Sequence, residues 1–181
     1  MIAFSETLRI GKRIALRLSV ILCGLAWAGC GITGYRLGTS LPSDIRSVHV
    51  PAFENQTREP QLEAEATQAL IREIQRDGTL RIASADTADA VLSVALVNVA
   101  EEVLRYARDN ADTADEYRLR LEATMTLTRR LTGEEVASNP SVQGRATFEF
   151  TGDMASSRQG AIPEASRDLA RALVSAIVEH W

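Results

Sequence analysis

The sequence predicts an α+β domain with two helices packed on one face of a four-stranded, mainly antiparallel sheet, in the order β-α-β-β-β-α. Three observations predict it. From Tyr117 to Thr128 apolar and polar residues alternate strictly, the period of a strand with one buried face. From Val142 to Phe150 a second alternation follows after a turn signal. Two stretches, one on each side of the strand-rich middle, repeat apolar residues at three- and four-residue steps, the period of a helix with one buried stripe.

The elements follow in order. Ile45 to Phe53 reads as a first strand with Val48 and Val50 on one face. Pro51 cannot donate a ladder hydrogen bond, so it marks an edge, a bulge or the strand's end. Glu54 to Glu59 reads as a turn, and its Asn55-Gln56-Thr57 sequon is read as a chance match. Pro60 suits the first turn of a helix, whose stripe is Leu62, Ala66, Ala69, Leu70 and Ile74. Asp77-Gly78 stops it, with glycine supplying a left-handed cap.

Ala90 to Val99 is a nearly continuous apolar run rich in β-branched residues, which favours a central strand. An extension through Val103 and Tyr106 stays open. Asp109 to Asp115 is a polar loop. In the third strand Tyr117, Leu119, Leu121, Ala123, Met125 and Leu127 face one way. Arg118, Arg120, Glu122, Thr124, Thr126 and Thr128 face the other. Thr132-Gly133 turns the chain into a fourth strand, with Val142, Gly144, Ala146, Phe148 and Phe150 inward and Gln143, Arg145, Thr147 and Glu149 outward. Asn139-Pro140 breaks or bulges its start. Pro163 opens a last helix whose stripe is Leu169, Ala172, Leu173, Ala176 and Ile177. Two amphipathic helices cover one sheet face, and the Arg-, Thr- and Glu-bearing face is left open.

Ahead of the domain, Arg9, Lys12, Arg13 and Arg17 precede an apolar run from Leu18 to Ala28. A basic opening, a short apolar stretch and a small-residue exit describe an export signal, and the run is too short to span a membrane permanently. Ala28-Gly29 directly before Cys30 is similar to a bacterial lipobox, in which the thiol is acylated after cleavage. Trp27 stands where Leu is usual. Ordinary export, with Cys30 a spare thiol, is the other reading. The expected organisation is a signal over residues 1–29, a lipidated tether over 30–44 containing Gly31, Gly34, Gly38 and Pro42, and one domain over 45–181.

Cleavage before Cys30 would leave 152 of the 181 residues, enough for one compact domain. The remaining chain carries no second cysteine, so it has no internal disulfide. Its net charge is −7, against −4 for the full chain, which is not the balance of a non-specific nucleic-acid binder. All of its basic residues are arginines, a result of codon bias or of a preference for bidentate phosphate contact.

In order and spacing, Cys30, Gly34-Tyr35, Leu41-Pro42, the stretch Val50-Pro51-Ala52-Phe53-Glu54-Asn55-Gln56-Thr57, Leu62 and Ala88-Asp89-Ala90 resemble the lipopolysaccharide-assembly lipoproteins of the Gram-negative outer membrane, the LptE-like family. Cys30 and Tyr35 are separated by four residues where a tighter Cys-Gly-Tyr is common. The resemblance implies two helices against a four-stranded sheet. It further implies a non-enzymatic lipoprotein, anchored in outer-membrane lipid through acylated Cys30. That lipoprotein would plug and help assemble a large lipopolysaccharide-export β-barrel, aid delivery of lipopolysaccharide to the outer leaflet and possess the capacity to bind it. An accessory lipoprotein of another envelope machine, without lipopolysaccharide binding, is the competing expectation.

No catalytic set is expected: His49 and His180 are the only histidines, and Glu101-Glu102 and Glu134-Glu135 are mere sequence neighbours. No cysteine–histidine spacing suits a metal. The Gly31, Gly34, Gly38 series lacks the lysine of a phosphate loop, so no cofactor is expected. The candidate contacts with ligand or barrel are Arg105, Arg108, Arg118 and Arg120, because guanidinium pairs with the phosphates of a diphosphorylated glycolipid. A solvated face paired with Asp109, Asp112, Asp115 and Glu116 is the alternative.

Overall fold

The computed structural model describes residues 41–106 and 114–178. Cys30, Tyr35, Arg108, Asp109, Asp112 and His180 therefore lie outside the described residues. The elements are β1 (Ser47–His49), β2 (Glu54–Asn55), α1 (Leu62–Asp77), β3 (Arg81–Ile82), β4 (Ala90–Tyr106), β5 (Ala114–Arg129), β6 (Glu135–Glu149) and α2 (Met154–Val178).

The long strands behave as their patterns dictate. β5 buries Leu119, Leu121, Ala123, Met125 and Leu127 and leaves the alternate positions half-exposed. It pairs antiparallel with both β4 and β6, making the expected meander. In β6, Pro140 and Ser141 stand opposite the single Thr124, a bulge between the Ala123–Val142 and Met125–Asn139 pairs. β6 is an edge strand, where a proline costs no ladder bond. Tyr117 and Phe148 face each other across β5 and β6 with rings stacked at 5.6 Å.

The sheet is larger and more mixed than expected. It has six strands in the order β3-β1-β4-β5-β6, with β2 also on β4. β1 runs parallel to both β3 and β4, and β2 parallel to β4. The four-stranded, mainly antiparallel expectation is thus corrected to a mixed sheet. The turn read over Glu54 to Glu59 contains β2, which rejoins β4 at Ala95–Leu96 after β1 has paired at Ala90–Val91. β1 and β2 lie along one edge of β4, broken around Pro51. The crossover through α1 makes this half parallel, since the chain returns to the sheet in the same direction.

α1 buries the whole predicted stripe, and Gly78 closes it at φ 78° with its N–H on the Ile74 carbonyl. Pro60 lies before the helix rather than in its first turn, and Gln61 at φ 63° is the residue at the cap. α2 starts nine residues before Pro163, which is a second correction. Asp153 explains the earlier start: its carboxylate accepts bonds from Ala155 N, Ser156 N and Ser156 Oγ, capping the free N–H groups of the first turn. Pro163 sits inside the helix at an exposed position, where its ring removes one backbone hydrogen bond to Gln159.

Both helices and the inner sheet face share one core. Leu41, within the tether stretch, joins it, and Asp44 pairs with Arg129. Phe150, expected inward, lies one residue beyond the end of β6 and is 39% exposed. α2 crosses β6 at Gly144, where an added Cβ would stand 2.5 Å from the Ala165 carbonyl oxygen.

Candidate functional site

The site is built on the distal part of the β4–β5–β6 meander. β4 and β5 outrun the helices, leaving Val103, Leu104 and Tyr106 exposed beside Arg105. The opposite end of the meander holds the 130–133 turn and the start of the domain, joined by Asp44 with Arg129 and by Arg130 Nε donating to the Ala88 carbonyl at 2.6 Å. At the strand rise of 3.3–3.4 Å, β5 spans about 50 Å between these ends. The exposed Val103, Leu104 and Tyr106 therefore lie at the end of β4 away from Asp44.

A bulge positions the charges. Leu92, Val94 and Leu96 face the core opposite Leu127, Met125 and Ala123. The register then shifts at Val97, so that Asn98, Ala100 and Glu102 pair with Glu122, Arg120 and Arg118 on the outer face. Glu101 turns inward to Arg158 at 3.2 Å. Glu102 is thus placed between two arginines: 2.8 Å from Arg120 Nη1 and 3.7 Å from Arg118 Nη1. All three side chains are between 33% and 38% exposed. Arg120 Nε is buried and meets no acceptor among the described residues.

Arg105 donates through Nε to Asp115 at 3.0 Å and lies 3.5 Å from Glu116. That hydrogen bond, with both carboxylates nearby, holds its pKa above the ordinary arginine value. The structure therefore brings Arg118 and Arg120 onto one patch and sets Arg105 in a separate ion-pair cluster at the tip; Arg108 lies outside the described residues. An arginine beyond the expected set joins the patch. Arg145 of β6 stands directly across from Arg120. Its guanidinium donates to Gln143 Oε1 at 3.0 Å and reaches no carboxylate among the described residues. Its outward position was legible in the β6 alternation, but not its partner across the strand.

The Val50–Thr57 stretch clasps α1 through Phe53 and Asn55. Phe53 is buried and its N–H donates to Thr67 Oγ1. Asn55 donates to the Glu59 carbonyl and to Glu63 Oε2, while its Oδ1 accepts from Thr57 N and Oγ1. Its amide is fully engaged in fastening β2 to α1. Glu59, 7% exposed, pairs with Arg158 of α2. Asp89 fastens the other end, accepting from Arg46 N, Ser47 N and Ser47 Oγ at 2.7–3.1 Å. Those bonds, the Ser47 hydroxyl first, hold its pKa below the usual carboxylate value.

His49 Nδ1 is 3.3 Å from the Ala83 carbonyl, joining β1 to the chain beyond β3. Among the described residues no three His, Cys, Asp or Glu side chains are grouped to hold a metal ion. None of the described helices is long and apolar enough to cross a membrane.

Fold and surface together define a small α+β domain that presents an open, arginine-bearing sheet face and, at the far end of β4, the exposed side chains of Val103, Leu104 and Tyr106. The chain belongs to the lipopolysaccharide-assembly family LptE, whose model matches residues 45–177. No match to a curated protein was found. Among solved structures, the chain is similar to a minor lipoprotein from Acinetobacter baumannii (12% identity, 77% of this chain and 95% of that one, TM-score 0.47). It is also similar to a PelC dodecamer subunit from Paraburkholderia phytofirmans (21%, 75% and 91%, TM-score 0.46). A third is a lipoprotein from Neisseria meningitidis (14%, 75% and 96%, TM-score 0.42). These likenesses are too distant to assign a role.

Proposed function

We propose that this chain is a non-enzymatic outer-membrane lipoprotein that plugs and helps assemble the lipopolysaccharide-export β-barrel, aiding delivery of lipopolysaccharide to the outer leaflet. Residues 1–29 form its signal, acylated Cys30 its anchor and residues 30–44 its tether. The observation that carries this reading is the family match over 45–177. What gives it a surface is the helix-free sheet face, where Arg118, Arg120 and Arg145 lie together. A polar sheet face free of helices suits the wall of a barrel lumen. Guanidinium groups suit the phosphates of a lipid headgroup, and the exposed Val103, Leu104 and Tyr106 suit its apolar part.

The test is to purify the tagged chain from detergent-solubilised membranes and identify its partners by mass spectrometry. A large β-barrel of the lipopolysaccharide-export class in fixed stoichiometry is expected. Its absence, with another envelope assembly in its place, would establish the accessory-lipoprotein reading instead. Reversing Arg118 and Arg120 to Glu should weaken barrel retention or lipopolysaccharide binding. The same reversal at Arg167 and Arg171, on α2, should leave both unchanged.

A further inference from the structure

We infer that Glu102 is a built-in competitor for the lipopolysaccharide phosphate: it occupies, in the free protein, the seat between Arg118 and Arg120 that the phosphate takes on binding. The inference rests on the proposed function above and deepens it. Four observations carry it. One carboxylate serves two guanidinium groups, at 2.8 and 3.7 Å, so neither arginine has a carboxylate to itself. Glu102 reaches this seat only because the bulge at Val97 turns it to the outer face. Arg120 Nε is left without an acceptor, so the pairing does not satisfy the fork. Arg145, across from Arg120, has only the neutral Gln143 amide. The patch therefore holds two guanidinium groups on one carboxylate and a third, Arg145, one strand further on, with Glu122 committed to Ser141 Oγ at 2.7 Å.

A phosphate has the same geometry toward guanidinium as a carboxylate, with one more oxygen and up to twice the charge. It can replace Glu102 between Arg118 and Arg120, and its third oxygen is available to Arg145 or to Arg120 Nε. Displaced Glu102 then repels the incoming anion. Its charge lowers affinity for any single phosphate and favours a ligand that brings several phosphates, or an apolar portion for the exposed tip. Glu102 would thus make the patch selective for a polyanionic amphiphile over free phosphate.

The test measures equilibrium binding of purified lipopolysaccharide, dephosphorylated lipopolysaccharide and inorganic diphosphate to the detergent-purified full chain. Glu102→Gln keeps the shape and one acceptor but removes the charge. It should tighten lipopolysaccharide binding roughly three- to tenfold at low salt, the effect of removing one or two half-exposed ion pairs from the competition. The gain should shrink as salt rises. It should vanish with dephosphorylated lipopolysaccharide and in an Arg118→Gln, Arg120→Gln background. Inorganic diphosphate, weak on the parent protein, should gain at least as much. Glu102→Ala, should Glu102→Gln fold poorly, predicts the same direction. If Glu102→Gln binds lipopolysaccharide no tighter while the arginine variant binds it more weakly, the competitor role is wrong and the site reading stands. If the arginine variant binds as the parent does, the site reading fails and the competitor role with it.

Discussion

Gly144→Ala should unfold the domain more readily than its small change in size suggests. Gly144 lies on the inner face of β6, where α2 makes its closest approach to the sheet. A Cβ there would stand 2.5 Å from the Ala165 carbonyl oxygen and from Leu169 Cβ, and closer still to Leu169 N. Ordinary carbon contacts need about 3.5–4.0 Å, so α2 must retreat by roughly 1 Å. The atoms in the way are mostly backbone and cannot rotate aside. Ala165, Ser166 and Leu169 around the contact are fully buried, and a gap of that size forfeits roughly a quarter to a half of the local dispersion energy. Overpacking of this kind costs about 1–3 kcal/mol or more. The reduced freedom of the unfolded chain returns about 0.4–1 kcal/mol where the native conformation suits alanine. A net loss of roughly 2 kcal/mol is expected against a total of about 5–15 kcal/mol. Urea denaturation followed by circular dichroism would read it as a lower midpoint with an unchanged slope. An unchanged or higher midpoint would show that α2 does not rest on β6 at this residue.

Further outcomes follow from the same structure. Leu121→Ala, at a fully buried position, should cost about 2–5 kcal/mol in the same denaturation assay, and a loss near zero would mean that the β5 register is inverted. Ser166→Ala should be neutral or stabilising by up to about 1 kcal/mol, because the Ser166 hydroxyl is buried without a partner among the described residues and alanine is the better helix former; a clear loss would reveal a hidden bond. The Asp89 carboxylate titrates below its ordinary value in the folded state. Its stabilising effect is therefore fully present above the unfolded-state pKa and is lost as pH falls through the folded one. Asp89→Asn should lower the urea midpoint at neutral pH and flatten its decline on acidification; a parallel decline would assign the acid sensitivity to other groups. Cys30→Ala should yield an uncleaved or unanchored protein, read by membrane fractionation and mass spectrometry of the N-terminus, and an acylated, membrane-held variant would remove Cys30 as the anchor.

What the sequence determined by itself is the part written in short-range period. The twofold alternation of Tyr117–Thr128 and Val142–Phe148 assigns each side chain to a face without reference to any partner, and burial follows it. The α1 stripe and the Gly78 cap are equally local. Tertiary structure decided what local period cannot encode. β2 and β3 are two residues long, too short to show a period, and exist only because β4 and β1 offer them open edges. Pro163 reads as a helix start, yet Asp153 caps the chain earlier and the packing of Ala161 and Ile162 holds the preceding turns. The arginine patch was half visible. Arg118 and Arg120 share a face by alternation alone, but Arg145 joins them through the β5–β6 register. Glu102 reaches them through the Val97 bulge, which reverses the parity of β4 from Asn98 to Val103, before the register shifts again on either side of Arg105. Before the bulge, even-numbered residues of β4 face the core; from Asn98 to Glu102 they face out. A one-residue slip sends a side chain to the other face of the sheet. Where that slip falls depends on how β4 fits β5 and not on the residues of β4 alone.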